Sequence, residues 1–112
     1  MPAQALECYR TPQGHEPVTQ WLESLTDQRT RDAVLQGLQC LERGVPEHCR
    51  LMGDGLYEMC LDCGPGVRVY FGLLDTRVLL LLCGSCRLAR AIERDSAFAF
   101  MQDFRSRQGT AA

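Results

Sequence analysis

The segment 53–84 limits the fold of this chain more than any other part of the sequence. Apolar and polar residues alternate over 57–62 and again over 67–71, which is the period of β-strands that bury one face. The Gly-Pro-Gly sequence at 64–66 lies between them and predicts a turn. The run 78–82 is apolar throughout, as expected of a strand that is buried on both faces. The segment therefore predicts three consecutive strands.

Two helices are predicted between a first strand at 4–10 and these three strands. Pro17 suits the first position of the first helix, and Thr26 or Asp27 can end it and cap the next. Gly44 suits the left-handed position that ends the second helix. Each helix carries one apolar stripe, namely Val18, Trp21, Leu22 and Leu25 in the first and Val34, Leu35, Leu38 and Leu41 in the second. The two should form a hairpin that covers one face of the sheet.

A third helix is predicted over 87–105, followed by a polar tail at 106–112 that should fray. The segment 45–52 is predicted to be a linker. The order β-α-α-β-β-β-α predicts an α+β fold, a small and mainly antiparallel β-sheet with a two-helix N-terminal hairpin and a C-terminal helix, the helices lying on one face. A chain of 112 residues holds one hydrophobic core, so a single domain over 1–112 is expected.

The charge of the chain argues against a bulk attraction to nucleic acid. The formal net charge is −2, so contact with RNA or DNA requires a local cluster of basic side chains. All 12 basic residues are arginine, which favours fork-like contacts with phosphate over point charges.

Residues 1–14 lack the charged and apolar regions of a signal peptide, and the longest apolar run is too short to span a membrane. A cytoplasmic location without a membrane partner is therefore expected, and thiols stay reduced there. The seven cysteines are accordingly not expected to form a disulfide framework.

Several polar side chains of the predicted strands share one face. Arg68 and Tyr70 point the same way, and Glu58 and Cys60 lie on that side of the neighbouring strand. Guanidinium forks bind phosphate oxygens, and a phenol can stack or donate a hydrogen bond. Two arginines, Arg87 and Arg90, begin the last helix just beyond the third strand. A phosphate-binding face is one interpretation, and a solvated sheet face with scattered charges is the other.

The spacing of four cysteines is typical of a zinc site. They form the pairs Cys60-x-x-Cys63 and Cys83-x-x-Cys86. Cys60 falls in an alternating strand, however, where residues three apart face opposite sides. The other interpretation is that these thiols act as small buried apolar groups. The two histidines, His15 and His48, are predicted to be exposed loop residues without a partner motif.

Five motifs are shared with a known group of small proteins. They are Trp21-Leu22-x-x-Leu25-x-Asp27, Leu41-x-x-Gly44, Gly53-Asp54-Gly55-Leu56-x-Glu58, Gly64-Pro65-Gly66-x-Arg68-Val69-Tyr70-Phe71 and Leu81-Leu82-Cys83-Gly84. Together they resemble the HigB-like addiction-module killer proteins of the RelE/ParE toxin superfamily, over about residues 17–87. The resemblance implies a small antiparallel sheet with two N-terminal helices packed against it.

The same resemblance implies a toxin of a type II toxin–antitoxin system. Such toxins are mRNA endoribonucleases that act on the ribosome, are neutralised by a co-encoded antitoxin and reach DNA only through it. The reaction is metal-free and needs no cofactor, because the ribose 2′-hydroxyl attacks the adjacent phosphate while basic and tyrosyl side chains stabilise charge and move protons. By this resemblance, Arg68, Tyr70 and Arg87 are the expected catalytic residues. Arg90 and Glu58 are the expected substrate-binding residues.

The chain departs from the family pattern within the implied site. Cys60 stands where the family has arginine, which removes a cation and predicts an attenuated nuclease. Arg87 replaces a lysine, and Arg90 replaces a glutamine. Two alternatives stay open, a catalytically inactive binding module with the RelE fold and a zinc-binding domain through Cys60, Cys63, Cys83 and Cys86.

Overall fold

The computed structural model describes residues 5–44, 49–61, 66–75, 78–85 and 90–109. These residues form five strands and three helices: β1 Ala5–Cys8, α1 Pro17–Ser24, α2 Gln28–Glu42, β2 Cys49–Gly53, β3 Leu56–Leu61, β4 Val67–Asp75, β5 Val78–Ser85 and α3 Arg90–Gly109. None of the described helices combines the length and apolar character that crossing a membrane requires.

The strands form one open sheet in the order β1-β5-β4-β3-β2. Strands β2 to β5 pair with one another in antiparallel fashion, and β1 pairs with β5 in parallel. Strand β5 lies between β1 and β4, and its residues from Leu79 to Ser85 are buried. The predicted α+β class and mainly antiparallel sheet are therefore confirmed, and so is the strand buried on both faces.

The prediction of a linker over 45–52 is wrong for its second half, because Cys49–Gly53 forms the edge strand β2. A tight turn connects β2 to β3. In the paired strands, Leu51 is opposite Tyr57 and Gly53 is opposite Leu56. Asp54 and Gly55 of the turn both have positive φ, 51° and 81°. An Asp-Gly pair is the residue combination that such a hairpin turn favours, so the sequence contained a signal for this strand.

Both N-terminal helices begin at the predicted residues and α2 ends before Gly44 as predicted, while α1 ends at Ser24, just before the predicted break at Thr26 or Asp27. Pro17 occupies the first turn of α1. The side chain of Asp27 accepts a hydrogen bond from the Thr30 backbone N–H and so caps α2. Gly44, with φ 77°, follows the end of α2 in the left-handed conformation.

The α1–α2 hairpin covers one face of the sheet, as predicted. Val18, Val34 and Leu41 of the helices are buried against a layer of strand residues, namely Met59, Val67, Val69, Phe71, Leu79 and Leu81. The Trp21 indole lies directly over Gly84 of β5. One residue of the predicted stripe does not fit, because Leu35 is 47% exposed and Gly37 contacts the sheet in its place.

The third helix lies on the opposite face, so the prediction of helices on one face is wrong. Ala97 and Met101 of α3 are buried with Leu56, Tyr70, Leu80 and Leu82, the inward residues of that face. Because Gly72 has no side chain, the Met101 thioether lies against the strand there. The second face of β3, β4 and β5 carries its own apolar residues, and α3 removes them from water.

The predicted frayed tail at 106–112 begins too early, because α3 continues to Gly109. Arg107 donates hydrogen bonds to the Asp103 carboxylate and the Arg10 backbone oxygen, both at 2.6 Å. The Tyr9 phenol also donates to Asp103, at 2.5 Å. Burial, together with this hydrogen bond, raises the pKa of Tyr9 to about 12. These contacts hold the end of α3 against Tyr9 and Arg10, the residues that directly follow β1.

Candidate functional site

A polar patch occupies one end of the sheet face that α3 covers. It consists of two transverse rows of paired residues, Arg50–Glu58–Tyr70–Cys83 and Cys60–Arg68–Ser85. A register shift in the pairing of β4 with β5 places both Leu82 and Cys83 in the layer under α3. Because of this shift, the β5 residues that complete the two rows are Cys83, paired with Tyr70, and Ser85, paired with Arg68.

One carboxylate oxygen organises this patch. Glu58 is 2% exposed, and three donors converge on its Oε1 atom. Arg68 Nη1 lies at 2.8 Å, Arg50 Nε at 3.0 Å and Cys60 Sγ at 3.4 Å. A buried carboxylate needs such partners, because an unpaired charge in the interior is strongly unfavourable.

The pKa of Glu58 is set by opposing effects. Burial acts to raise it, while the Cys60 thiol and the guanidinium groups of Arg68 and Arg50 act to lower it. The partners prevail, so the pKa of Glu58 lies below its ordinary value of 4.5. Glu58 is therefore ionised at neutral pH and stabilises the fold as a carboxylate.

Replacing Glu58 with glutamine is expected to destabilise the protein by about 2 kcal/mol at neutral pH, because two guanidinium groups lose their shared counter-ion. The expected loss of stability is smaller than that for a fully buried ion pair, since both arginines are partly exposed. The pKa of Glu58 in the folded protein lies below 4.5. The carboxylate therefore stabilises the fold fully above pH 4.5, and this stabilisation is lost as the pH falls through the folded-state pKa. The difference from wild type should therefore shrink in acid.

Urea unfolding of both proteins across this pH range measures the effect. Glu42→Gln, at an exposed position near the end of α2, is the matched control and should unfold like wild type at every pH. A constant difference between Glu58→Gln and wild type down to acid would contradict the assignment of Glu58 as the titrating group.

Cys60 contributes a neutral thiol to the patch. Its Sγ atom is 3.1 Å from Arg68 Nη1 and donates to Glu58. Burial, reinforced by the neighbouring carboxylate, raises the pKa of the Cys60 thiol. A protonated thiol is a poor nucleophile, so this geometry favours a packing and hydrogen-bonding role for Cys60.

Tyr70, one of the expected catalytic residues, does not lie on an open surface. Its side chain is 0% exposed and belongs to the layer under α3. Burial raises the pKa of Tyr70, although the nearby Ser85 hydroxyl acts to lower it. The phenol is thus neutral at physiological pH and is shielded from water.

Ser85 is the least satisfied polar group of the patch. It is 2% exposed, and its hydroxyl makes no hydrogen bond of ordinary geometry with any described residue. It nevertheless lies close enough to Tyr70 to influence that phenol. A buried hydroxyl without a partner is uncommon in folded proteins.

The remaining expected site residues lie at or beyond the limit of the described chain. Arg87 falls outside the described residues. Arg90 is the first residue of α3. The structure thus brings together Glu58, Arg68 and Tyr70, and the positions of Arg87 and Arg90 relative to them stay predictions.

The expected zinc ligands are only partly described, because Cys63 and Cys86 fall outside the described residues. Cys60 and Cys83 lie on the same sheet face, on β3 and β5, with β4 between them. Among the described residues, no group of three His, Cys, Asp or Glu side chains is arranged to hold a metal ion. His15 is exposed and its Nδ1 lies 3.3 Å from Gln20 Nε2, and His48 is not among the described residues.

Arg50 and Ser85 belong to the patch but were missed from the sequence. Arg50 falls in the predicted linker. The Asp54-Gly55 pair signals a hairpin turn, but a regular hairpin from that turn would set Arg50 opposite Met59, and the register shift between Leu51 and Gly53 moves it opposite Glu58. Ser85 has no role among the residues predicted from the sequence. Its position under α3 depends on the register shift in β5, for which the sequence gives no clear signal.

Comparison with family models and with curated proteins identifies no relative of this chain. A scan against protein-family models finds no model that matches the chain, and a search of curated proteins finds no match.

Proposed function

We propose that this chain is the toxin component of a type II toxin–antitoxin pair, an mRNA endoribonuclease of the HigB-like group in the RelE/ParE superfamily. The motif Gly64-Pro65-Gly66-x-Arg68-Val69-Tyr70-Phe71 is the sequence feature that supports the family. An N-terminal helical hairpin packed on a mainly antiparallel sheet is compatible with it. The proposed topology is therefore RelE-like.

The observation that carries the proposal is the position of Arg68. Its side chain is 22% exposed, and its guanidinium is held at 2.8 Å by the nearly inaccessible carboxylate of Glu58. A cation fixed by a buried partner and open to solvent on its remaining side is preorganised to stabilise charge that develops on a phosphate. Metal-free attack by a ribose 2′-hydroxyl develops such charge.

The proposal also fixes the partners and the place of action. The substrate is mRNA on the ribosome in the cytoplasm, and a co-encoded antitoxin blocks the toxin and carries any contact with DNA. No cofactor is required by this chemistry. We expect slow cleavage, because Cys60 supplies a neutral thiol at the position where the family has an arginine.

Induced expression in bacterial cells tests this function. Wild type should arrest growth and leave cleaved transcripts, detectable by primer extension, and co-expression of a neighbouring antitoxin gene should restore growth. Arg68→Ala is the matched control and should arrest growth weakly or not at all. Equal growth and intact transcripts with both proteins would refute the nuclease.

The burial of Tyr70 favours a second candidate, a catalytically inactive module that keeps the fold for binding the antitoxin. A phenol that is 0% exposed cannot exchange protons with a bound substrate without movement of α3. This candidate predicts tight binding of the antitoxin, no cleavage by wild type and no effect of Arg68→Ala on growth. Antitoxin pull-down combined with the transcript assay separates the two candidates.

A further inference from the structure

We infer that Arg50 is a second phosphate-binding residue of this patch, which with Arg68 binds a backbone phosphate of single-stranded RNA. RNA as the ligand rests on the proposed function. The contact of two guanidinium groups with the Glu58 carboxylate is a feature of the geometry and does not depend on that function.

Arg50 is placed for this role by the edge strand β2. It pairs with Glu58 across the β2–β3 ladder, and its side chain is 65% exposed, against 22% for Arg68. Only its Nε atom contacts Glu58. Neither terminal nitrogen of Arg50 has an acceptor among the described residues, and the exposure of the side chain makes both accessible to a ligand.

The charge of the patch favours an anion. Two guanidinium groups face one carboxylate, which leaves one positive charge in excess while Cys60 stays neutral. This local excess stands out in a chain whose net charge is −2. A phosphodiester presents two unesterified oxygens, and two guanidinium groups bind these through charge-assisted hydrogen bonds.

Ser85 supplies an independent indication that the patch is completed by a ligand. Its buried hydroxyl makes no hydrogen bond of ordinary geometry with a described residue, although it lies near enough to the Tyr70 phenol to act on the pKa of that group. Ser85 pairs with Arg68 in the β4–β5 ladder. Polar groups inside proteins are nearly always satisfied, and an exception calls for an explanation. An anion bound beside Arg68 would supply the missing acceptor.

Binding is measured by fluorescence anisotropy with purified full chain and a labelled single-stranded RNA whose 2′-hydroxyl groups are all methylated. This probe keeps its phosphates but cannot be cleaved. Arg50→Ala should weaken binding about tenfold, as expected for the loss of hydrogen bonds to a charged group, and should lower the slope of affinity against salt by about one. Arg50→Lys keeps the positive charge but loses the forked guanidinium, so the affinity of this variant for the probe should lie between those of wild type and Arg50→Ala.

Arg31→Ala is the matched control, because Arg31 is exposed on α2, which packs on the other sheet face. It should bind like wild type. If Arg50→Ala does not fold, as judged by circular dichroism, Arg50→Lys carries the test. Binding equal to wild type by the folded Arg50 variants, or no binding of the probe by wild type, would overturn the inference.

A parallel assay with unmodified RNA separates this inference from the proposed function. Arg50-dependent binding of the methylated probe without cleavage of unmodified RNA would refute the nuclease and keep the Arg50 site. Cleavage by wild type with unchanged binding by Arg50→Ala would keep the nuclease and refute the Arg50 site.

Discussion

On the proposed nuclease function, purified Arg68→Ala protein is expected to cleave RNA about 10² to 10³ times more slowly than wild type, the usual cost of removing one preorganised group that stabilises developing charge. Arg68 is bound to Glu58 and also contacts Cys60, so its guanidinium is fixed before substrate arrives. The loss should appear in kcat, because charge on the phosphate develops mainly in the transition state. Single-turnover cleavage of a labelled RNA measures it.

Two controls separate chemistry from folding in this experiment. Arg31→Ala removes an exposed arginine on α2 and should cleave at the wild-type rate. Arg68→Lys keeps a cation beside Glu58 and should recover part of the rate, while a thermal melt of Arg68→Ala shows whether the sheet is intact. A folded Arg68→Ala protein with the wild-type rate would exclude Arg68 from catalysis.

Gly84→Ala is expected to destabilise the protein by about 3 kcal/mol, at the upper end of the usual cost of overpacking a core. A Cβ atom at this position would overlap Cε3, Cδ2 and Cζ3 of the Trp21 ring. Strand β5 cannot retreat, because it pairs with β1 on one side and β4 on the other. The melting temperature should fall by about 10 °C or more.

Gly72→Ala provides the matched comparison on the other face of the sheet. Its added methyl would overlap the thioether of Met101, a flexible side chain that can adopt another rotamer. We therefore expect a smaller loss than at Gly84. Combining Gly84→Ala with Trp21→Leu should recover much of the stability. An equal cost of Gly84→Ala with and without the indole would show that steric overlap is not the cause.

Local sequence patterns predicted most of the fold. The alternation over 57–62 and 67–71 predicted the neighbouring strands β3 and β4, and the apolar run at 78–82 predicted a strand buried on both sides. Asp27 and Gly44 marked the ends of α2. These signals work because backbone geometry fixes which residues share a face and which residues can end a helix.

The candidate site was predicted less completely. The two-residue period of the strands placed Arg68, Glu58 and Cys60 on one side, and the structure joins their side chains at Glu58 Oε1. Period alone could not show that Tyr70, on that same side, is buried. The burial of Tyr70 depends on α3, which comes from a distant part of the sequence.

By itself, the sequence determined four of the five strands, the three helices and the sides on which most of their residues lie, because these depend on neighbours within a few positions. Only the tertiary structure decided three features: α3 covers the second face, Arg50 lies opposite Glu58, and a register shift aligns Ser85 with Arg68. The physical reason is that each depends on which surfaces remain to be buried once the sheet has formed. The polar patch is the part of that second face where Glu58 is neutralised by arginines instead of being covered by apolar side chains.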